Sequence, residues 1–124
     1  SSSSAASDVY KRQSMEIKLD KKADKILENL LSNSKNSIEY KLGLKISESI
    51  LLLENEKNYL LDIKSIKANK NLYEIRIKSP LNYRIFYYDN NGKLYIVLDI
   101  IEKKTNKFPQ KYFDDILKRM ERNL

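Results

Sequence analysis

Cysteine and histidine are both missing from this chain of 124 residues. The first absence excludes thiol nucleophiles, disulfides and thiolate metal sites. The second removes the side chain that most readily carries protons near neutral pH. Any acid–base chemistry therefore falls to Lys, Arg, Tyr or a carboxylate. With neither residue present, zinc and other transition-metal sites are not expected. No apolar run approaches the roughly 18 residues of a membrane helix. No secretory leader is legible, so a soluble cytoplasmic protein is expected. A Gly-rich phosphate loop, an internal repeat and metal-ligand spacing are also missing, and no cofactor is implied.

What the chain has in excess is positive charge. The net charge is +7, and it is concentrated in two segments. Residues 64–84 carry six basic side chains against one acidic, and residues 103–124 carry seven against three. Such concentration fits a polyanionic partner, nucleic acid first, because neutralising phosphates releases counterions. A solvated basic face that only aids solubility is the other reading.

The chain is organised around Leu72–Lys104, which reads as three short strands. Tyr73, Ile75 and Ile77 alternate with Glu74, Arg76 and Lys78, the period of a strand with one buried face and one charged face. Pro80 breaks pairing after Lys78, since it fixes φ and has no N–H. Tyr83–Tyr88 is the second strand. Asp89-Asn90-Asn91-Gly92 is a hairpin turn, because Asn-Gly tolerates the positive φ of a type I′ turn. Leu94–Ile101 returns as a third strand whose nearly unbroken apolar run predicts an inner position.

Before the meander, Glu16–Leu19 reads as a short strand and Asp20 as the N-cap of a helix striped by Ala23, Ile26, Leu27, Leu30 and Leu31. Asn36 with Glu39 resembles a capping box for a second helix, striped by Ile38, Leu42, Ile46, Ile50 and Leu53. Gly43 inside it points to a close packing contact. Leu44, Leu51 and Leu52 lie off the stripe; a wider core face is expected, with a partner patch as the alternative. Tyr59–Ala68 is ambiguous. After the sheet, Pro109 opens a third helix with Tyr112, Phe113, Ile116, Leu117 and Met120 on one face. Residues 1–13 share no periodicity with the rest and read either as an adapter-like, non-native leader or as a Ser-rich tail. The expected division is a segment 1–14 and one domain over 15–124.

The residues that carry chemistry are Arg76, Lys78, Arg84, Lys103, Lys104 and Lys107, with Tyr83, Tyr87, Tyr88 and Tyr112 near them in sequence. Arg76 and Arg84 can meet across the short turn, opposite or diagonal. Fixed guanidinium groups stabilise the charge that develops on a phosphodiester attacked by its own 2′-hydroxyl, without a metal. Aromatic rings among cations can stack on splayed RNA bases. Packing is the expected role of Tyr73 and Tyr83, and alternate arginines also occur on plain exposed sheet faces.

LYEIRI, then YRIFYYDNNGKLYIVL, then EKKTNKFPQKYFDDILKRMER, over roughly residues 60–122, resembles the RelE/ParE superfamily of type II toxin–antitoxin toxins, and most of all its HigB-like, phage-derived branch. The resemblance implies a small α+β fold in which two N-terminal helices and one C-terminal helix pack on a twisted antiparallel sheet, the meander plus a possible N-terminal strand. It implies cleavage of mRNA on translating ribosomes and neutralisation by a cognate antitoxin, a small helix-turn-helix protein. Arg76, Arg84 and Lys104 match catalytic positions, and Lys78, Lys103, Lys107 and Tyr112 match RNA-binding ones. Glu74 stands where ribosome-dependent members often have lysine. No histidine is available where some HigB-like members have one, so the general base is unassigned. The alternative is a non-enzymatic toxin on the same scaffold, ParE-like and poisoning gyrase, or a degenerate homologue that only binds antitoxin or RNA.

Overall fold

A computed structural model of the chain describes residues 15–67 and 69–124; the leader expected over 1–14, and Ala68, lie outside the described residues. In chain order the elements are strand β1 (Glu16–Leu19), helix α1 (Lys21–Leu31), helix α2 (Ile38–Glu54), a 3₁₀ turn (Asn58–Leu60), strands β2 (Ile63–Ser65), β3 (Leu72–Ile77), β4 (Tyr83–Asn90) and β5 (Leu94–Glu102), and helix α3 (Gln110–Arg122). The fold is α+β, as expected.

The five strands form one sheet in the order β1-β5-β4-β3-β2. The meander β3-β4-β5 is antiparallel and β5 is an inner strand. Its second turn places Asn91 and Gly92 at φ of 56° and 70°, and the Gly92 N–H donates to Asp89 Oδ1 at 2.8 Å. The expected antiparallel sheet is corrected in one respect: β1 pairs with β5 in parallel, Glu16 opposite Leu94. Two helices and three strands separate the partners, so no hairpin fixes their relative direction. The ambiguous Tyr59–Ala68 stretch contains β2, a three-residue edge strand with Lys64 opposite Glu74. So short a strand shows little alternation, and a lysine on it suits an unpaired edge.

One face of the sheet buries Ile75, Ile77, Ile85, Tyr87, Val97 and Ile100 against Ala23 and Leu30 of α1 and Leu42, Ile46, Ile50 and Leu53 of α2. Tyr73 and Tyr83 pack at the margin of this core, as expected of strand tyrosines. The helices approach closely at Gly43, where a Cβ would lie 2.8 Å from Leu31 Cδ2. α2 is capped by Ser37, whose hydroxyl accepts the Tyr40 N–H at 3.1 Å, one residue beyond the expected Asn36. The wide core face expected for α2 is not formed. Leu44 and Leu51 are about half exposed, because the helix meets α1 and the sheet only along the Leu42–Leu53 stripe.

Asp20 joins the two ends of the fold. It caps α1 by accepting the Lys22 N–H at 2.9 Å, and it receives both arms of the Arg122 guanidinium at 2.8 and 2.7 Å and the Asn123 amide at 2.8 Å. Burial alone would raise its pKa. The Arg122 and Asn123 bonds, the Lys22 amide and the Arg122 charge outweigh that and hold the carboxyl well below the usual carboxylate range. The folded state therefore binds this proton less readily than the unfolded chain. The stabilisation is complete above roughly pH 4, the ordinary aspartate range, and is lost progressively as the pH falls below it.

Asp20→Asn is expected to lower the unfolding free energy at neutral pH by about 1.5–3 kcal/mol, the scale of hydrogen bonds to charged groups, and to flatten the acid limb of a stability–pH curve measured by urea denaturation. Gly43→Leu is expected to cost about 1–3 kcal/mol in the same assay through overpacking of the helix contact.

Candidate functional site

The second face of the sheet is built from the residues that alternate with the core. By register it carries a row Lys64–Glu74–Phe86–Asp99 and, beside it, a row Arg76–Arg84–Ile101. α3 covers only one end of this face, where Leu72, Ile96, Leu98 and Ile116 close a second core with Tyr112, Phe113 and Met120 at its edge. The segment after β5 borders the remainder, held at Lys103 by Asn82 and packed through Phe108 against Phe86.

A β-bulge sets the wall between the two parts. Phe86 pairs with Asp99 and Tyr87 with Val97, so Leu98 is an extra residue on β5. Leu98 and Asp99 both turn towards α3, the local distortion a bulge produces. Asp99 is buried, accepts the Tyr112 hydroxyl at 2.6 Å and the Ile100 N–H at 2.9 Å, and lies 3.1 Å from Arg119 Nη1. Burial, then the Asp99 charge and its hydrogen bond, push the Tyr112 hydroxyl far above the usual tyrosine range, so it stays protonated. Phe86 is fully buried, and the rings of Phe108, Tyr112 and Phe113 stand 5.4, 5.4 and 5.9 Å from it.

Next to this aromatic wall lie two opposite charges. Glu74 and Arg84 are only 8% and 6% exposed, and Arg84 Nε is 3.7 Å from Glu74 Oε2. That distance is an ion pair without a hydrogen bond. Arg84 Nη1 donates instead to Asn82 Oδ1 at 2.8 Å and to the Tyr83 carbonyl at 3.0 Å, while its Nε–H is buried without a partner among the described residues. Asn82 also holds the basic segment: its carbonyl accepts the Lys103 N–H at 2.8 Å, and its amide reaches the Lys103 carbonyl at 3.4 Å. Glu74 lines a cleft of about 330 Å³ whose other walls include Lys64, Lys67, Lys103, Lys107, Phe108 and Phe113. Lys103 Nζ sits 5.4 Å from the centre of the Phe108 ring, a cation–π contact.

The residues singled out in the sequence are divided by this geometry. Arg84, Lys103, Lys107 and Tyr112 gather at or beside the cleft. Arg76 is directly opposite Arg84, but its guanidinium turns to Asp62, with Nη2 and Nε at 2.7 and 3.1 Å from Oδ1. It lines a separate cavity of about 560 Å³ with Lys78, Lys41 and Lys45. Lys104 is 76% exposed along its side chain and 3.8 Å from Glu102. The charged sheet face expected from alternation is thus largely covered, and its central arginine is buried. Lys64, Lys67, Phe108 and Phe113 join the cleft without a place among the residues expected to carry chemistry. Lys64 depends on a strand too short to show a pattern, whereas Phe108 beside Pro109 at the start of an amphipathic helix is a usable signal. Among the described residues no three acidic side chains gather as they would around a metal ion, and no helix is long and apolar enough to cross a membrane.

A mixed sheet sealed by a helical hairpin on one face, with a basic cleft over a buried ion pair on the other, defines a small RelE-like α+β domain. The chain belongs to the phage-derived Gp49-like family: the model for "Phage derived protein Gp49-like (DUF891)" matches residues 39–121, more than half of the chain. This is a RelE-type toxin family, associated with toxin–antitoxin systems and hence with an antitoxin partner. The matched span takes in nearly all of α2 and α3, with the meander and the cleft between them. No curated protein matches the chain.

Tyr112→Phe leaves the ring packing in place and removes one hydrogen bond from a buried carboxylate. Urea denaturation is expected to show a loss of about 1.5–3 kcal/mol, with the far-ultraviolet circular dichroism spectrum unchanged.

Proposed function

We propose that the protein is the toxin of a type II toxin–antitoxin system, of the HigB-like, phage-derived branch, and that it inhibits translation by cleaving mRNA on the ribosome. The observation that carries this reading is the buried Arg84 guanidinium with an unpartnered Nε–H beside a cleft rimmed by lysines and phenylalanines. A guanidinium held through Nη1 by Asn82 and the Tyr83 carbonyl, with donors left over, is preorganised for charge that appears only in a transition state. Lys64, Lys67, Lys103 and Lys107 draw the backbone in, and the half-buried rings of Phe108 and Phe113 line the cleft in which unstacked bases would lie, aromatic lining being common in single-strand RNA recognition.

In this mechanism the 2′-hydroxyl attacks the adjacent phosphorus and Arg84 meets the negative oxygens. Arg76, held opposite by the β3–β4 register, joins it by exchanging Asp62 for phosphate. That exposed ion pair is readily exchanged. Lys78 extends the basic surface beside Arg76, and Lys104 acts through its charge at the rim. Tyr112, neutral and bound to Asp99, holds the aromatic wall. The protein works in the cytoplasm, where ribosomes are, and a cognate helix-turn-helix antitoxin neutralises it.

The test is primer extension on a reporter mRNA in a reconstituted bacterial translation system, with and without ribosomes. Cuts that require ribosomes are expected, together with a loss of about 10²–10³-fold in rate for Arg84→Lys, which keeps the charge and loses the fork. Arg84→Glu is the poorer variant, because it would set a second carboxylate against buried Glu74. Intact message at high protein concentration would contradict the nuclease and favour a toxin that acts by binding, on gyrase or on an antitoxin alone.

A further inference from the structure

Three acidic side chains are buried among the described residues: Asp20, Glu74 and Asp99. Two of them are fully engaged. Asp20 holds Arg122 and Asn123, and Asp99 holds Tyr112, Arg119 and the Ile100 amide. Glu74 differs. Its side chain is 10% exposed, and among the described residues it accepts no hydrogen bond; its closest cationic neighbour, Arg84 Nε, stands off at 3.7 Å. The residue lines the 330 Å³ cleft with Lys64, Lys103, Lys107 and Phe108. Its oxygens are not among the fully buried atoms left without a partner, so they stay open to the cleft that the residue lines.

We infer that Glu74 is the general base of the cleft, the group that removes the proton from the attacking 2′-hydroxyl of RNA; the inference rests on the nuclease reading above. A base needs free lone pairs at the place where the nucleophile arrives, within hydrogen-bond reach. Glu74 has them, and the chain offers no histidine for the task. The carboxylate and the guanidinium lie on adjacent strands of one sheet face, so a phosphate in contact with Arg84 brings the neighbouring ribose beside Glu74. In the step, Glu74 takes the 2′-O proton, the 2′-oxygen forms a bond to phosphorus, and the bond from phosphorus to the 5′-oxygen breaks. The leaving 5′-oxygen takes a proton from a rim ammonium, Lys103 or Lys107. Exchange with water then returns both groups to their starting states.

The experiment is single-turnover cleavage of reporter mRNA on preassembled ribosome complexes by the full chain near neutral pH, with binding of each variant to the same complexes measured alongside. Glu74→Gln is expected to lower the cleavage rate by about 10²–10⁴-fold with binding unchanged. Glu74→Asp, which keeps a carboxylate but draws it back, is expected to retain a part of the rate that Glu74→Gln loses. Circular dichroism checks that each variant is folded; should Glu74→Gln fail to fold, Glu74→Asp decides, by a reduced rate with unchanged binding. Wild-type rate in folded Glu74→Gln, or, where that variant does not fold, wild-type rate in Glu74→Asp, would overturn the assignment of Glu74 alone. A wild-type protein that cuts nothing would overturn the nuclease reading and this inference with it.

Discussion

Two opposite charges, Glu74 and Arg84, lie nine-tenths buried on one sheet face without a hydrogen bond between them. Taking both out of water costs several kcal/mol per ion, and a separation of 3.7 Å returns less of that than a closed bidentate pair would. The arrangement persists because other contacts hold Arg84: Asn82 and the Tyr83 carbonyl grip one arm of the guanidinium, and Asn82 in turn fixes the start of the basic segment at Lys103. The same low dielectric that makes the pair costly strengthens whatever the free Nε–H and the free carboxylate oxygens meet. The cleft, its lysines and its aromatic wall are arranged around that pair.

The sheet supplies the asymmetry this needs. One face is closed by α1 and α2 over a continuous aliphatic core, which makes the strands a rigid platform. The other is closed at one end by α3, and beyond it the segment after β5 leaves the cleft open. Two buried acids hold α3 there. Asp20 ties its C-terminal end to the start of α1, and Asp99, turned outward by the bulge in β5, binds Tyr112 and Arg119. Had the bulge been missing, period-two alternation would have sent either Leu98 or Asp99 to the opposite core. The second core would lose an apolar side chain, or α3 its anchor.

Much of this is legible in the sequence, for reasons that can be named. Period-two alternation marks β3, Asn91-Gly92 marks the hairpin and Asp20 marks the start of α1; the short connection between β3 and β4 puts Arg76 and Arg84 within reach of each other, but it is the structure that chooses the opposite register over the diagonal one. What is not legible depends on tertiary cover. Alternation divides Glu74, Arg76 and Arg84 from the apolar residues of their strands, but it cannot tell a charged face open to water from one partly covered by the segment after β5 and the C-terminal helix. For that reason Arg84 reads as exposed, and Glu74 as a mere departure from a family pattern. β2 is too short to register, and the parallel pairing of β1 is decided by a partner at the far side of the chain. Leu44 and Leu51 read as core because hydropathy reports what a helix could bury, not how much surface its neighbours offer.

The chemistry of the cut ends bears most directly on a cleft that works by an internal hydroxyl, a guanidinium and a carboxylate. Message recovered from the ribosome reaction and analysed by mass spectrometry is expected to carry 2′,3′-cyclic phosphate and 5′-hydroxyl ends. Fragments ending in 3′-hydroxyl and 5′-phosphate groups would show that water, and not the neighbouring 2′-hydroxyl, had attacked. That result would contradict a cut in which Glu74 activates the 2′-hydroxyl and Arg84 receives the charge on the phosphate.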